Sequence, residues 1–316
     1  MRKLLFTFIL VTLMLYPVLA NGEVEESSSS GGGMKVGLSL QDLDNQVWAS
    51  RARALEKVVS ERGGQLVYLG CGSDADKQLE QIETLVAGGI DILMVQPTDD
   101  QAVNGVLKSV KEKGVKVFVY DSDLENGDMR FLLKNYDAGY MIGTTAADWI
   151  NRNLDGPVEV ALINWPDLDI LKEREEGIRD ALARLSPQAK IVAASPALTP
   201  EEGQKVTAKM LREYPGIQVV CSIGGGGAVG ANEAVKAAGL LSDDFGIFAS
   251  DATAEEMAAM SRKEAIRSSI MYTGTPAQTA MVIYSWLEIL YFDEAMMERV
   301  YHTFIPVNQD NYQDYM

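Results

Sequence analysis

GGIDILMVQPTDDQAVNGVLKSVKEKGVKVFVYDSD, residues 88–123, decides the class of fold. Residues 90–96, apolar except for Asp91, read as a strand that ends at Gln96-Pro97. Val103, Val106, Leu107 and Val110 then recur at helical spacing until Gly114 stops them. Residues 115–120, apolar except for Lys116, read as a strand and lead into Asp121-Ser122-Asp123. An apolar strand, an amphipathic helix and a second apolar strand make a β-α-β crossover. Strands without polar alternation belong to a parallel sheet covered on both faces.

The same unit recurs on either side. Upstream, residues 35–40 and 65–69 read as strands, with Trp48, Ala52, Leu55 and Val59 on one helix face between them. Leu79, Ile82, Leu85 and Val86 form the next face, closed by Gly88-Gly89. Downstream, helical residues 140–150 precede a break at Asp155-Gly156-Pro157. Strands are expected over 158–163, 191–194, 217–223, 245–249, 265–271 and 300–306. Thr199-Pro200-Glu201-Glu202 and Thr253-Ala254-Glu255-Glu256 are helix-start signals, in which threonine and the third-position glutamate cap one another's backbone. So many strands are more than one sheet holds comfortably. The economical reading is α/β: two doubly wound Rossmann-like lobes with parallel sheets.

A targeting segment precedes this pattern. Arg2-Lys3, the apolar run 4–15 and Val18-Leu19-Ala20 have the form of a cleavable secretory signal over residues 1–20. The run is short for a membrane span, which needs roughly 20 apolar residues. Residues 21–33, acidic, then serine-rich, then triple glycine, read as a disordered tether. The expectation is a periplasmic protein, outside the pools of ATP and nicotinamide. The chain carries 28 Lys+Arg against 45 Asp+Glu, a formal charge of −17. That balance argues against nucleic acid or an anionic membrane as partner. Cys71 and Cys221 fall in different halves of the pattern and are not expected to pair. One histidine, His302, and two distant cysteines cannot build a His/Cys zinc site. No metal, cofactor or catalytic residue is expected.

In open parallel sheets, ligands bind beyond the carboxyl ends of the strands. Those positions carry Asn45 with Trp48, Gln96, Asp121 and Asp123, Asn135, Trp165, Gly224, Asp251 and Tyr272. Carboxylates and amides suit the hydroxyls of a sugar, and aromatic rings suit its C–H faces. Each has a plainer reading as well: Trp48 as core, Asp121 and Asp251 as turn or cap residues, Trp165-Pro166 as a rigid loop. Two other motifs are weaker. Asp121-x-Asp123-x-Glu125-Asn126-Gly127 resembles a calcium loop, but its glycine is one place late and Leu132 stands where glutamate is needed. Gly225-Gly226-Gly227-Ala228-Val229-Gly230 satisfies G-x-G-x-x-G and is the argument for an exported nucleotide-dependent enzyme. It lies in a late unit, and glycines there also simply permit close backbone packing.

Several short segments, in order, resemble the periplasmic sugar-binding proteins of ABC transporters, type I, of the ribose/galactose-binding kind. They are Lys35-Val36-Gly37-Leu38-Ser39 with Asp44-Asn45-Gln46-Val47-Trp48; Gly89-Ile90-Asp91-Ile92-Leu93 with Gln96-Pro97-Thr98-Asp99; and Asp121-Ser122-Asp123. Asn135-Tyr136-Asp137-Ala138-Gly139-Tyr140, Arg174-Glu175-Glu176-Gly177 and Ala249-Ser250-Asp251-Ala252-Thr253 follow. The resemblance implies two lobes joined by three crossover segments: residues 34–133 with 273–301, and 134–272 with 302–316. It implies a monosaccharide or small polyol between them. Asp121 and Asp251 would accept from its hydroxyls, Asn45, Gln96, Asn135 and Arg174 would add donors, and Trp48 would stack. The partner implied is the permease of an ABC importer, or alternatively a chemotaxis or sensor-kinase domain. The chain departs from the family at Gly224-Gly225, where an Asn-Asp pair is usual, at Leu198, often aromatic, and at Ser122, an arginine in ribose-specific members.

Overall fold

The computed structural model describes residues 33–44, 46–294 and 297–316. The expected export signal, all but the last residue of the tether, and Asn45 lie outside them.

The first run of elements is β1 (Lys35–Leu40), α1 (Gln46–Glu61), β2 (Gln65–Gly70), α2 (Ala75–Ala87), β3 (Ile92–Val95), α3 (Asp100–Glu112), β4 (Lys116–Tyr120) and β5 (Met129–Leu132). The second is α4 (Asn135–Asn153), β6 (Val158–Asn164), α5 (Asp169–Leu185), β7 (Ala189–Pro196), α6 (Pro200–Glu213), β8 (Ile217–Ser222), α7 (Gly225–Ala237), β9 (Gly246–Ser250), α8 (Ala254–Ser261) and β10 (Ile266–Tyr272). The chain closes with α9 (Pro276–Tyr291), β11 (Arg299–Tyr301), β12 (Phe304–Asn308) and a short 3-10 turn. Two six-stranded sheets result, ordered β11-β5-β4-β3-β1-β2 and β12-β10-β9-β8-β6-β7. Among the described residues every pairing is parallel except β10 with β12.

Each sheet is buried on both faces, as the unbroken apolar strands require. In the first, Leu55 and Val59 of α1 and Ile283 and Leu287 of α9 pack on Leu38, Phe118 and Phe131. Ile82, Leu85, Val103 and Leu107 of α2 and α3 cover the other face. In the second, α4 and α5 cover one face through Ile142, Ala146, Ile178 and Leu182. The other face is closed by Ala228, Ala231 and Val235 of α7 and Met210 of α6.

Two details differ from the sequence reading. β5 is not among the expected strands; its four residues include Arg130, a charge inside the apolar pattern. That side chain is buried, with Nε donating to the Leu124 carbonyl (2.6 Å) and Nη2 to that of Glu125 (2.8 Å), so a turn satisfies the charge inside the strand. The single strand expected over 300–306 is two strands, one in each sheet. β11 runs parallel to β5, so the chain reaches the second sheet at its carboxyl edge and must run back through it, antiparallel to β10.

The chain passes between sheets three times, after β5, after β10 and after β11, always at carboxyl ends. The crossings are stitched together: the His302 N–H donates to Leu132 O (3.0 Å) and the Thr273 N–H to Thr303 O (2.8 Å). The carboxyl ends of both sheets therefore meet at one seam. The turn at Asp155–Pro157 lies between α4 and β6, within one sheet's layer.

Candidate functional site

On the first sheet, Asp121 follows β4 in the left-handed region, φ 61°, its N–H donating to Phe131 O (2.8 Å). Its carboxylate is 31 % exposed, and Oδ1 lies 3.4 Å from Nε2 of His302. Trp48 on α1 meets Tyr120 edge to face at 5.1 Å, and the Arg51 guanidinium lies 5.1 Å from the indole centroid. Arg51 Nη1 also donates to the Tyr120 hydroxyl (3.1 Å). Burial pushes that hydroxyl's pKa up, against the lowering effect of Arg51. Trp48 is thus half-buried, a ring set in a wall. Gln96 is buried beyond β3; its carbonyl accepts from Gln78 Nε2 (2.8 Å) and its Oε1 from the Gln41 N–H (3.4 Å). Asp123 does not join this group. Its carboxylate accepts from Arg299 Nε (3.0 Å), with Arg130 Nε at 3.4 Å.

On the second sheet the residues converge more tightly. Glycines let α4 and α5 approach closely: a Cβ on Gly139 would overlap the Arg174 carbonyl, and one on Gly177 the Tyr136 carbonyl. That approach sets Arg174, 8 % exposed, against Asn135. Nη2 and Nε donate to Asn135 Oδ1 (2.6 and 3.2 Å), and Nη1 to Ile223 O (2.8 Å). The guanidinium stands 5.7 Å from the Tyr272 ring. Burial raises the Tyr272 pKa to about 12, with the Arg174 charge opposing. Asp251 follows β9 at φ 94°, and its Oδ2 accepts from the Gly225 N–H (2.9 Å). A cavity of about 140 Å³ is lined by Arg174, Gly224 and Asp251, with Leu171 and Leu198 as its apolar side. Behind Asp251 lies Glu256, fully enclosed. Burial first, then the Asp251 charge, raises its pKa to about 8. Trp165 is half-buried against the α4–α5 side of the core, not in this cavity.

The glycine-rich turn is explained by packing. Gly224 is the N-cap of α7, whose first N–H is occupied by Asp251. A Cβ on Gly226 would overlap the Leu198 carbonyl, and one on Gly230 the Pro200 carbonyl. These glycines seat α7 on the start of α6. Both cysteines are free and buried, Cys71 Sγ lying 3.1 Å from the Thr98 hydroxyl.

His302 is the residue that sequence reasoning missed. It joins the two groups: its ring centroid is 5.6 Å from Tyr120 and 6.3 Å from Tyr272. A chain of rings and cations thus runs from Trp48 through Tyr120, His302 and Tyr272 to Arg174. The one signal available was that the only histidine falls between two strands destined for different sheets.

Two polar, strained strand ends facing one seam match a known architecture. The model of the periplasmic binding protein domain matches residues 36–293. The chain belongs to that family. A ribose import binding protein of Bacillus subtilis is 26 % identical over 245 residues, covering 76 % of this chain and 79 % of that protein. A second, from Haemophilus influenzae, is 28 % identical over 215 residues, covering 67 % of this chain and 72 % of that one. Among solved structures, a periplasmic ribose ABC transporter protein of Conexibacter woesei superposes with TM-score 0.78 at 20 % identity, covering 90 % of this chain and 94 % of that chain. A solute-binding protein of Actinobacillus succinogenes with bound D-allose gives 0.77 at 20 % identity, covering 89 % of this chain and all of that one. At such identities the superpositions establish the fold: two parallel-dominated sheets flanked by helices, of the type I kind.

Proposed function

We propose that this chain is the solute-binding component of an ABC importer and encloses a monosaccharide or related small polyol between its lobes without altering it. One observation carries the reading. Asp121 and Asp251 sit at carboxyl strand ends of the two sheets, both at positive φ. Such conformations cost about 1–3 kcal/mol each and persist where function requires them. Beside Asp251 stands a buried Arg174–Asn135 pair, and the bonds to Asn135, Ile223 O and the Ser250 hydroxyl leave Arg174 one Nη2 N–H to donate. Two acceptors and a cation, with Trp48, Tyr272 and Leu198 as apolar surface, suit a guest rich in hydroxyls. Gln96, Asn135 and the Gly224 backbone are the further polar contacts in this reading. Asn45, proposed from sequence, belongs with them. Asp123, held by arginines, and Trp165 are more distant supports.

The lobes, 34–133 with 273–301 and 134–272 with 302–316, would close as bodies about the three crossings, and the closed form would be what the permease engages. Residues 1–20 would direct export to the periplasm and be removed. Binding is tested by thermal shift and calorimetry with D-ribose, D-xylose, D-allose, myo-inositol, deoxysugars and nucleosides. Bound sugar at a hundred times its Kd adds about 2.7 kcal/mol of stability. One member of the panel should bind at one site per chain, and Asp251→Ala should abolish it. No response to any of them, or conversion of a bound sugar into product, ends the reading.

A further inference from the structure

The only histidine of the chain occupies the point where the three crossings and the Asp121 carboxylate meet. The His302 side chain is 2 % exposed, against 31 % for Asp121. It is clamped on every side. Its ring stacks on Phe131 at 3.9 Å and 28°, with Tyr120 and Tyr272 edge-on. Nδ1 lies 2.7 Å from the Thr273 hydroxyl, and Nε2 faces Asp121 Oδ1. Thr273 is itself held in a costly shape, a β-branched residue at φ 63°. Its N–H bond to Thr303 O and its hydroxyl on the imidazole are what keep it there.

Nε2 lies 3.4 Å from Asp121 Oδ1, just beyond ordinary hydrogen-bond length. A carboxylate can only accept, so a bond across that gap needs the hydrogen on Nε2; in the neutral ring Nδ1 is then the acceptor for the Thr273 hydroxyl, 2.7 Å away. Among the described residues, His302 is the only side chain that pairs with the Asp121 carboxylate, and it takes Oδ1. Oδ2 remains for a guest. We propose that His302 is a positioning residue for the cleft: through Nε2–H it locks the Asp121 carboxylate so that Oδ2 is presented to a sugar hydroxyl. The lock is anchored at the hinge, so the acceptor keeps its aim while the lobes move. The proposal rests on Asp121 acting as a ligand acceptor, as read above.

Two substitutions separate positioning from packing. His302→Phe keeps a ring to stack on Phe131 and loses the donor. His302→Gln loses the ring and can place an amide N–H near the Nε2 position. Calorimetric titration with D-ribose, D-xylose, D-allose and myo-inositol should show, for whichever binds the wild type, a loss of about tenfold in His302→Phe, the low end of what is lost when the partner orienting a metal-ligating side chain is removed. His302→Gln should recover most of it, although its melting temperature falls further. Unchanged affinity in His302→Phe, or loss in both variants in proportion to their melting temperatures, overturns the proposal. A second measurement needs no sugar. With one histidine, the imidazole nitrogen resonances are unambiguous, and Asp121→Asn should move the Nε2 signal while Nδ1 stays near its place. An Nε2 signal indifferent to Asp121→Asn overturns the proposal even if sugars bind. If no sugar binds, the functional reading falls, and the resonance still decides whether the lock exists.

Discussion

Replacing Glu256 by glutamine should flatten the pH dependence of stability across the neutral range. The carboxyl is fully enclosed, and burial, then the charge of Asp251, raises its pKa from 4.5 to about 8. In an unfolded chain it returns to its ordinary 4.5. Between those values the folded protein holds a proton that the unfolded chain has released, so stability falls as pH rises. The contribution is whole below pH 4.5 and is lost as pH climbs through 8. Each unit inside that window is worth about 1.4 kcal/mol, which makes the loss from about pH 5 to about pH 7 roughly 2.5 kcal/mol for this one group. Glutamine keeps the capping exchange, in which the side-chain oxygen accepts from the Thr253 N–H (2.7 Å) and the residue's N–H donates to the Thr253 hydroxyl (3.2 Å). It cannot ionise. Urea unfolding of both proteins at several pH values reads the effect directly. The variant's advantage over wild type should grow by about 2.5 kcal/mol over those two units, then level off once the folded carboxyl has titrated. Parallel profiles would refute the assignment of a protonated, buried acid beside Asp251.

Asp121→Ala should cost about 2–5 kcal/mol of sugar binding by calorimetry, because a buried hydroxyl loses a charged acceptor, while cooperative unfolding survives. Arg174→Lys should weaken binding by a similar amount. A lysine ammonium cannot span Asn135 Oδ1 and Ile223 O together, and circular dichroism melts should show stability lost as well. Gly177→Ala should lower stability by about 1–3 kcal/mol in the same melts, since its methyl meets the Tyr136 carbonyl and forces α4 from α5. An unchanged melting temperature would show that the two helices do not cross where described.

Much of the architecture was legible because the central strands are largely apolar and the helices carry one apolar face. Residues 92–95 and 116–120 stand in the middle of a buried sheet, where periodicity and burial agree. Capping boxes at Thr199 and Thr253 were read to the residue, since they are local and depend on nothing distant. What depended on distance was hidden. Arg130 is a charge inside a buried strand, and only the carbonyls of 124 and 125, brought in by the preceding turn, make it fit there. Nothing local in residues 299–308 tells that two sheets share them. The site shows the same division. Asp121 and Asp251 announce themselves by type and place, and Arg174 by the family resemblance, whereas the Arg130 and Arg299 partners of Asp123 come from other strands. The contact between His302 and Asp121 joins residues with no sequence relation at all.

The pairing of β5 with β11 sets Arg130 opposite Arg299, and α9, which covers one face of the first core, lies nearly as late. Neither half can be finished from one continuous stretch of chain. A ribosome must therefore deliver almost the entire polypeptide before the earliest strands acquire their last neighbour. Long-range pairings of this kind are slow to form. If residues 1–20 direct export as proposed, that delay would be useful: a chain still unfolded could be threaded through a narrow translocation pore and assemble on the far side.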